Sequence, residues 1–298
     1  MKDVLFLGNG INRLSENYSW EQLVKSLIYK FYSKEINVNT ENKPFSLLYE
    51  EILSHALSKS KGNEQDIRKH IVSEIKKIGI NDFHKKIIKY DFAAILTTNY
   101  DYLIEKAFDS KSNFKNTAKV QESKYNILRK NEVDNINIPI WHIHGELRRP
   151  QTITLGYEHY SGYLENLRTS VTQGKAWENF ELKRLSDRLN SKIIDTWVDY
   201  FFCYNIHIMG FSFDFSEIDL WWLLVFRSRM INLKKRKYNI TNKIYFYYAE
   251  ENNSIINSRV QILKSLGVIP ICNLLMNNWE DYYYNLFNKD LKVEYLKK

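Results

Sequence analysis

Short apolar runs that stop abruptly at glycine or at small polar residues constrain this 298-residue chain more than any other feature. Asp3–Leu7 runs into Gly8-Asn9-Gly10, Phe92–Thr97 into Thr98-Asn99-Tyr100-Asp101, and Ile206–Gly210 into Phe211-Ser212. Lys243–Tyr248 and Val268–Cys272 are runs of the same kind. Strands covered on both faces read as continuous apolar stretches, whereas half-exposed strands alternate, so these five are expected as buried parallel strands. Ile138–His144 and Thr152–Leu155 are shorter strand candidates.

Helical spacing fills the intervals. Trp20, Leu23, Val24, Leu27, Ile28 and Phe31 fall on one helical face, with Ser19 as its N-cap. Ser46–Ser58, Glu64–Ile78, Asp82–Ile88 and Ala176–Phe202 carry a similar period. This alternation implies an α/β fold with a Rossmann-like, doubly wound parallel sheet. We expect a single domain over 1–298, with helical insertions at about 36–88 and 156–200, both too long for simple crossovers.

Composition narrows the function classes. No apolar stretch approaches the ~18 uncharged residues of a membrane span, and the apolar start is too short for a signal peptide. A cytoplasmic protein is therefore expected. Cys203 and Cys272 sit inside apolar runs, which suggests core packing, and two cysteines cannot supply a four-cysteine zinc site. The net charge of +8 is scattered, with short clusters at Lys85–Lys86, Arg148–Arg149 and Lys234–Lys237. Nucleic-acid binding is permitted, but no recognition motif supports it. The same surface would attract a dianionic dinucleotide.

Ligands in open α/β sheets bind beyond the carboxyl ends of the strands, where the polar turns lie. Gly8 and Gly10 allow a tight turn and close approach of a phosphate, or an ordinary strand-to-helix turn. Asn99 and Asp101 can project into the crevice, or cap the helix Tyr102–Phe108. His142 and His144 alternate on the Ile138–His144 strand and would face the same side, so a metal pair has to be considered. No further ligand sits at a spacing that completes a metal site, so no metal is expected. His144, followed by Gly145, is suited to acid–base work. Gly210 and Ser212 could hold a ribose or phosphate, while Glu217 and Asp219 could simply be favourable charge at a helix start.

In order and spacing, Gly8-Asn9-Gly10-Ile11-Asn12, Thr97-Thr98-Asn99-Tyr100-Asp101, Ile143-His144-Gly145 and Gly210-Phe211-Ser212 resemble the successive NAD-site motifs of the sirtuin fold. The resemblance is to its divergent, zinc-free bacterial branch, and Ser19–Leu23, Gly156–Tyr160 and Ser216–Asp219 extend it. It implies helical insertions in place of the zinc ribbon. It also implies that Gly8, Gly10, Ile11 and Asn12 line the phosphate and nicotinamide side of the pocket, together with Thr98. Asn99 would hold the nicotinamide ribose or the attacking water, Asp101 the carboxamide, and Gly210 and Ser212 the phosphates or adenosine ribose. His144 matches the general base. Asn9 replaces the usual small residue, and the Pro-Asp-Phe-Arg stretch of sirtuins is absent.

The activity implied is an NAD glycohydrolase that releases nicotinamide and ADP-ribose, or a cyclic product, and depletes NAD in anti-phage defence. NAD would be the substrate, without a metal. The resemblance leaves open an NAD-dependent deacylase or ADP-ribosyltransferase, and a non-catalytic NAD- or ADP-ribose-binding module. Loss of the zinc ribbon, which helps shape the acyl-lysine cleft, counts against a deacylase. Unchecked NAD loss would kill a host, so control is expected through a homo-oligomer, a partner ATPase or a phage-derived activator.

Overall fold

A computed structural model describes residues 3–15, 20–32, 40, 43–111, 114–120, 124–134, 136–233, 238–249, 254–273 and 278–291. Ser19, the expected N-cap, and the Lys234–Lys237 cluster lie outside them. The strands are β1 (Val4–Leu7), β2 (Ala94–Thr97), β3 (Phe114–Asn116), β4 (Lys130–Val133), β5 (Ile140–His142), β6 (Lys175–Trp177), β7 (Phe180–Leu182), β8 (Ile206–Met209), β9 (Ile244–Ala249) and β10 (Val268–Asn273). The helices are α1 (Trp20–Leu27), α2 (Phe45–Ser58), α3 (Glu64–Ile75), α4 (Asp82–Ile87), α5 (Leu103–Phe108), α6 (Tyr157–Thr172), α7 (Leu185–Asn190), α8 (Trp197–Cys203), α9 (Ile218–Asn232), α10 (Ser254–Ser265) and α11 (Trp279–Asn285).

Eight strands form one sheet in the order β10-β9-β8-β1-β2-β5-β4-β3. The first six are mutually parallel, and β4 and β3 add an antiparallel edge. Every residue of β1, β2 and β8 is buried, which is why their sequences do not alternate. Val4 and Phe6 pack on one face with Val198, Phe201 and Leu223; Leu5 and Leu7 pack on the other with Ile52, Ile67 and Ile71. Helices thus cover both faces, as the doubly wound expectation requires. The chain runs from β1 outward to β2 and β5, then returns to β8 on the opposite side. The topological switch therefore falls between β1 and β8, and the carboxyl ends around it open into a crevice.

Three local expectations change. Thr152–Leu155 is not a strand; Pro150–Thr152 forms a single 3-10 turn, because Pro150 fixes its own backbone angle and has no N–H for a ladder. Ala176–Phe202 is not helical throughout. Gly174, with φ +86°, follows α6, and β6 and β7 then form a hairpin clipped by Trp177 stacked on Phe180 at 5.9 Å. Cys272 is exposed and Cys203 only half-buried, since β10 is an edge strand and Cys203 ends α8. Among the described residues, no helix is long and apolar enough to cross a membrane.

Candidate functional site

Backbone hydrogen bonds fasten the turns after β1 and β8 to each other. Gly8 N donates to Met209 O at 3.0 Å and Gly10 N to Gly210 O at 2.6 Å. Gly210 takes a left-handed φ of +64°, which favours glycine. Two of the backbone N–H groups expected to face phosphate are therefore engaged within the protein. Beside these turns lies a cavity of about 580 Å³. Gly10, Thr98, Asn99, Asp101, His144, Gly210 and Ser212, all expected at the site, line it. Gly8, Ile11 and Asn12, expected at the same wall, lie behind it: Ile11 and Asn12 are fully buried, and Gly8 packs against Gly210 and Phe211.

The turn after β2 is built to hold Asn99. Thr97 Oγ1 donates to Leu7 O at 2.9 Å and accepts from Asn99 N at 3.0 Å, tying this turn to the end of β1. Asn99 is 7% exposed; its Nδ2 reaches Gly8 O only at 3.4 Å, and its Oδ1 has no partner. A buried carbonyl oxygen without a donor costs about 1–3 kcal/mol, so this one is an acceptor waiting for a ligand or water. Asp101 is not the N-cap of α5, which is Tyr102, but its Oδ1 accepts from Leu103 N at 3.0 Å at the helix start, and it also lines the cavity. Its Oδ2 accepts from Asn12 Nδ2 at 2.9 Å. Asn12 Oδ1 in turn takes the His84 Nε2 proton at 3.1 Å, and burial keeps His84 neutral by pushing it down to about 4. Asn12 thus acts from behind, orienting Asp101.

His142 and His144 do not share a partner set. β5 ends at His142, and Gly145, with φ +103°, turns the chain beyond it. His142 faces α5: Nε2 donates to Glu105 Oε1 at 2.7 Å and Nδ1 to Asn99 O at 3.0 Å. Burial opposes its charge, but Glu105, Glu146 and the Asn99 carbonyl overcome burial and raise it to about 9. The imidazolium therefore pins the Asn99 backbone. A histidine raised in the fold contributes stability that is complete below its unfolded value of about 6.5 and is lost as pH rises through the folded value. Thermal melts from pH 7 to 10 should show Tm falling through about 9. The fall should be absent in His142→Gln; equal pH dependence in both proteins would refute this role.

His144 is 2% exposed and faces α9. Its Nε2 meets Asp219 Oδ2 at 2.8 Å, and its Nδ1 lies 3.5 Å from Glu217 Oε2. Burial again opposes the charged ring, while Asp219 and Glu217 raise its pKa overall. These three residues present donor atoms within 4.8 Å of one another, close enough to consider a metal, which the spacing of the histidines alone did not suggest. The short imidazole–carboxylate contact has hydrogen-bond length, and we read the cluster as a proton network. Arg13, Lys25 and Lys43 also line the cavity, beside the acids Glu21, Asp101, Asp214 and Glu217, and Lys43 is paired with Glu51 at 2.6 Å. Glu217 and Asp219 were legible in the sequence only as helix-start charge, and no spacing or motif marks Arg13.

Residues 93–229, from β2 into α9, match the family model described as the SIR2-like domain. A relative, NAD(+) hydrolase ThsA of Bacillus cereus (strain MSX-D12), is 25% identical over 162 residues, which is 53% of this chain and 31% of that protein. The match thus spans about a third of the relative's length. With its parallel sheet, its crevice at the switch point and this domain match, the chain is sirtuin-like, and its SIR2-like segment is the part that supplies Asn99, His144 and Glu217.

Proposed function

We propose that the chain, acting as one nucleotide-binding domain, binds NAD in the crevice between β1, β2 and β8 and hydrolyses its nicotinamide–ribose bond. The observation that carries this reading is the unpartnered Asn99 Oδ1, buried at the cavity wall that also holds His144. Nicotinamide leaves NAD with the electron pair of the broken bond, so the ribose passes through an oxocarbenium-like state. Such chemistry calls for placed dipoles and a positioned water more than for a strong nucleophile. Asn99 Oδ1 accepts a hydrogen bond from the water and aims its oxygen at the anomeric carbon; His144 takes the one proton the water gives up as the new bond forms. Asp101, fixed by Asn12, is the partner for the carboxamide, and Arg13, Lys25 and Lys43 face the diphosphate. The relative's printed activity, NAD(+) hydrolysis, supports the same reading. Use of that activity to deplete NAD during phage infection, under control of self-assembly or a partner, rests on the family resemblance alone.

The test is incubation of purified protein with NAD while products are separated by chromatography. Equimolar nicotinamide and ADP-ribose are expected. Binding without release would favour a non-catalytic NAD-binding module, and release only with an acylated or acceptor protein would favour a transferase or deacylase.

A further inference from the structure

We propose that Glu217 shares with His144 the proton given up by the attacking water, and that Asp219 is the positioning residue that fixes the ring for this transfer. The proposal rests on the hydrolase reading above. Asp219 is fully buried, and its hydrogen bond at 2.8 Å takes the Nε2 proton of His144. That bond selects one tautomer and leaves the Nδ1 lone pair toward Glu217 and the cavity. Glu217 Oε2 is buried and without a hydrogen-bond partner, 3.5 Å from Nδ1. A gap of that length between two proton-binding atoms closes when one proton enters it, as O–H···N or as an ion pair.

Hydrolysis releases one proton. The carbon–oxygen bond forms, the carbon–nitrogen bond breaks with its electron pair on neutral nicotinamide, and the oxygen sheds one of its two protons. Nδ1 accepts that proton, which then rests between Nδ1 and Glu217 Oε2. The groups facing this pair define its charge. Asp214 and Asp219 face Glu217, and Tyr160 hydrogen-bonds it from α6. Arg129 opposes charge on His144, whose ring is packed by the edges of Tyr160 and Tyr163 at 5.4 and 5.8 Å. Burial, aided by Asp219 and Asp214, pushes Glu217 up to about 7 against the lowering influence of His144, so the carboxyl can both take and return a proton near neutrality.

The first measurement is a ring-nitrogen NMR titration of His144, assigned with His144→Gln, in wild type and E217Q. Loss of the Glu217 charge should lower the ring's midpoint by about one pH unit or more. In parallel, the acid limb of the kcat profile should move down in pH, with kcat reduced about tenfold and KM within about threefold. Asp219→Asn should raise the fraction of the other tautomer. An unchanged ring midpoint in E217Q would overturn the proposal, as would activity lost to a chelator and restored by a divalent cation. NAD bound by wild type but left uncleaved in every assembly state would sink the hydrolase reading, and a ring midpoint still responding to E217Q would then leave only the His144–Glu217 coupling standing.

Discussion

Asn99→Ala should lower NAD turnover by about 10²–10³-fold, the usual scale for losing one placed polar group or the aim of a reactant, while Tm stays level or rises. The two halves of this expectation come from the same atom. Asn99 Oδ1 is buried without a donor, and the Nδ2 contact to Gly8 O is long at 3.4 Å. The side chain therefore contributes little to the free protein and carries the cost of an unsatisfied acceptor, about 1–3 kcal/mol. Its truncation opens onto the cavity rather than into the core, so no closed void is left behind. What holds the turn is the Thr97 hydroxyl and the His142–Asn99 carbonyl bond, neither of which uses the Asn99 side chain. Turnover by chromatography and Tm by calorimetry decide the matter together. A Tm lowered by several degrees with turnover retained would mean that Asn99 is a structural cap and nothing more.

The parallel core was legible because burial on both faces leaves a plain mark: Val4–Leu7 is an unbroken apolar run, and Ala94–Thr97 and Ile206–Met209 are interrupted only by Thr97 and His207. Their ends were legible for a topological reason, since polar residues after such runs have few places to go except the crevice. The antiparallel pair β3–β4 left no such mark, because three of the four residues of Lys130–Val133 are polar and the pair forms the end of the sheet. The β6–β7 hairpin was hidden by aromatic residues that also fit a helical face until Gly174 breaks the chain direction. Histidine geometry was misjudged at one point: alternation across His142 and His144 assumes a continuing strand, and β5 stops at His142. The acids of α9 were visible as residues, but their task depends on long-range meeting with His144, 75 residues earlier. The ten-residue stretch Gly210–Asp219 does not contain that information on its own.

Gly8 is the expected site residue for which the packing offers a second reason, and Gly8→Ala should separate the two reasons. If the glycine is there to admit a phosphate, alanine weakens NAD binding and leaves the fold intact. The packing argues otherwise. A Cβ at Gly8 would lie 2.4 Å from Gly210 O, 2.6 Å from Phe211 Cα and 2.7 Å from Phe211 Cβ. The first two are backbone atoms, so no rotamer change relieves the contact, and the ends of β1 and β8 must move apart. That movement pulls against the Gly8 N–Met209 O and Gly10 N–Gly210 O bonds that join the two turns. Overpacking of this kind costs about 1–3 kcal/mol, which for a chain of this size corresponds to a Tm loss on the order of 5 °C. Because Gly210 and Phe211 also wall the cavity, turnover should fall with stability. Gly79→Ala is the matched control: nothing lies within 4 Å of its added Cβ, and Tm should change little. A Gly8→Ala protein that melts like wild type but binds NAD poorly would restore the phosphate reading and refute the packing one.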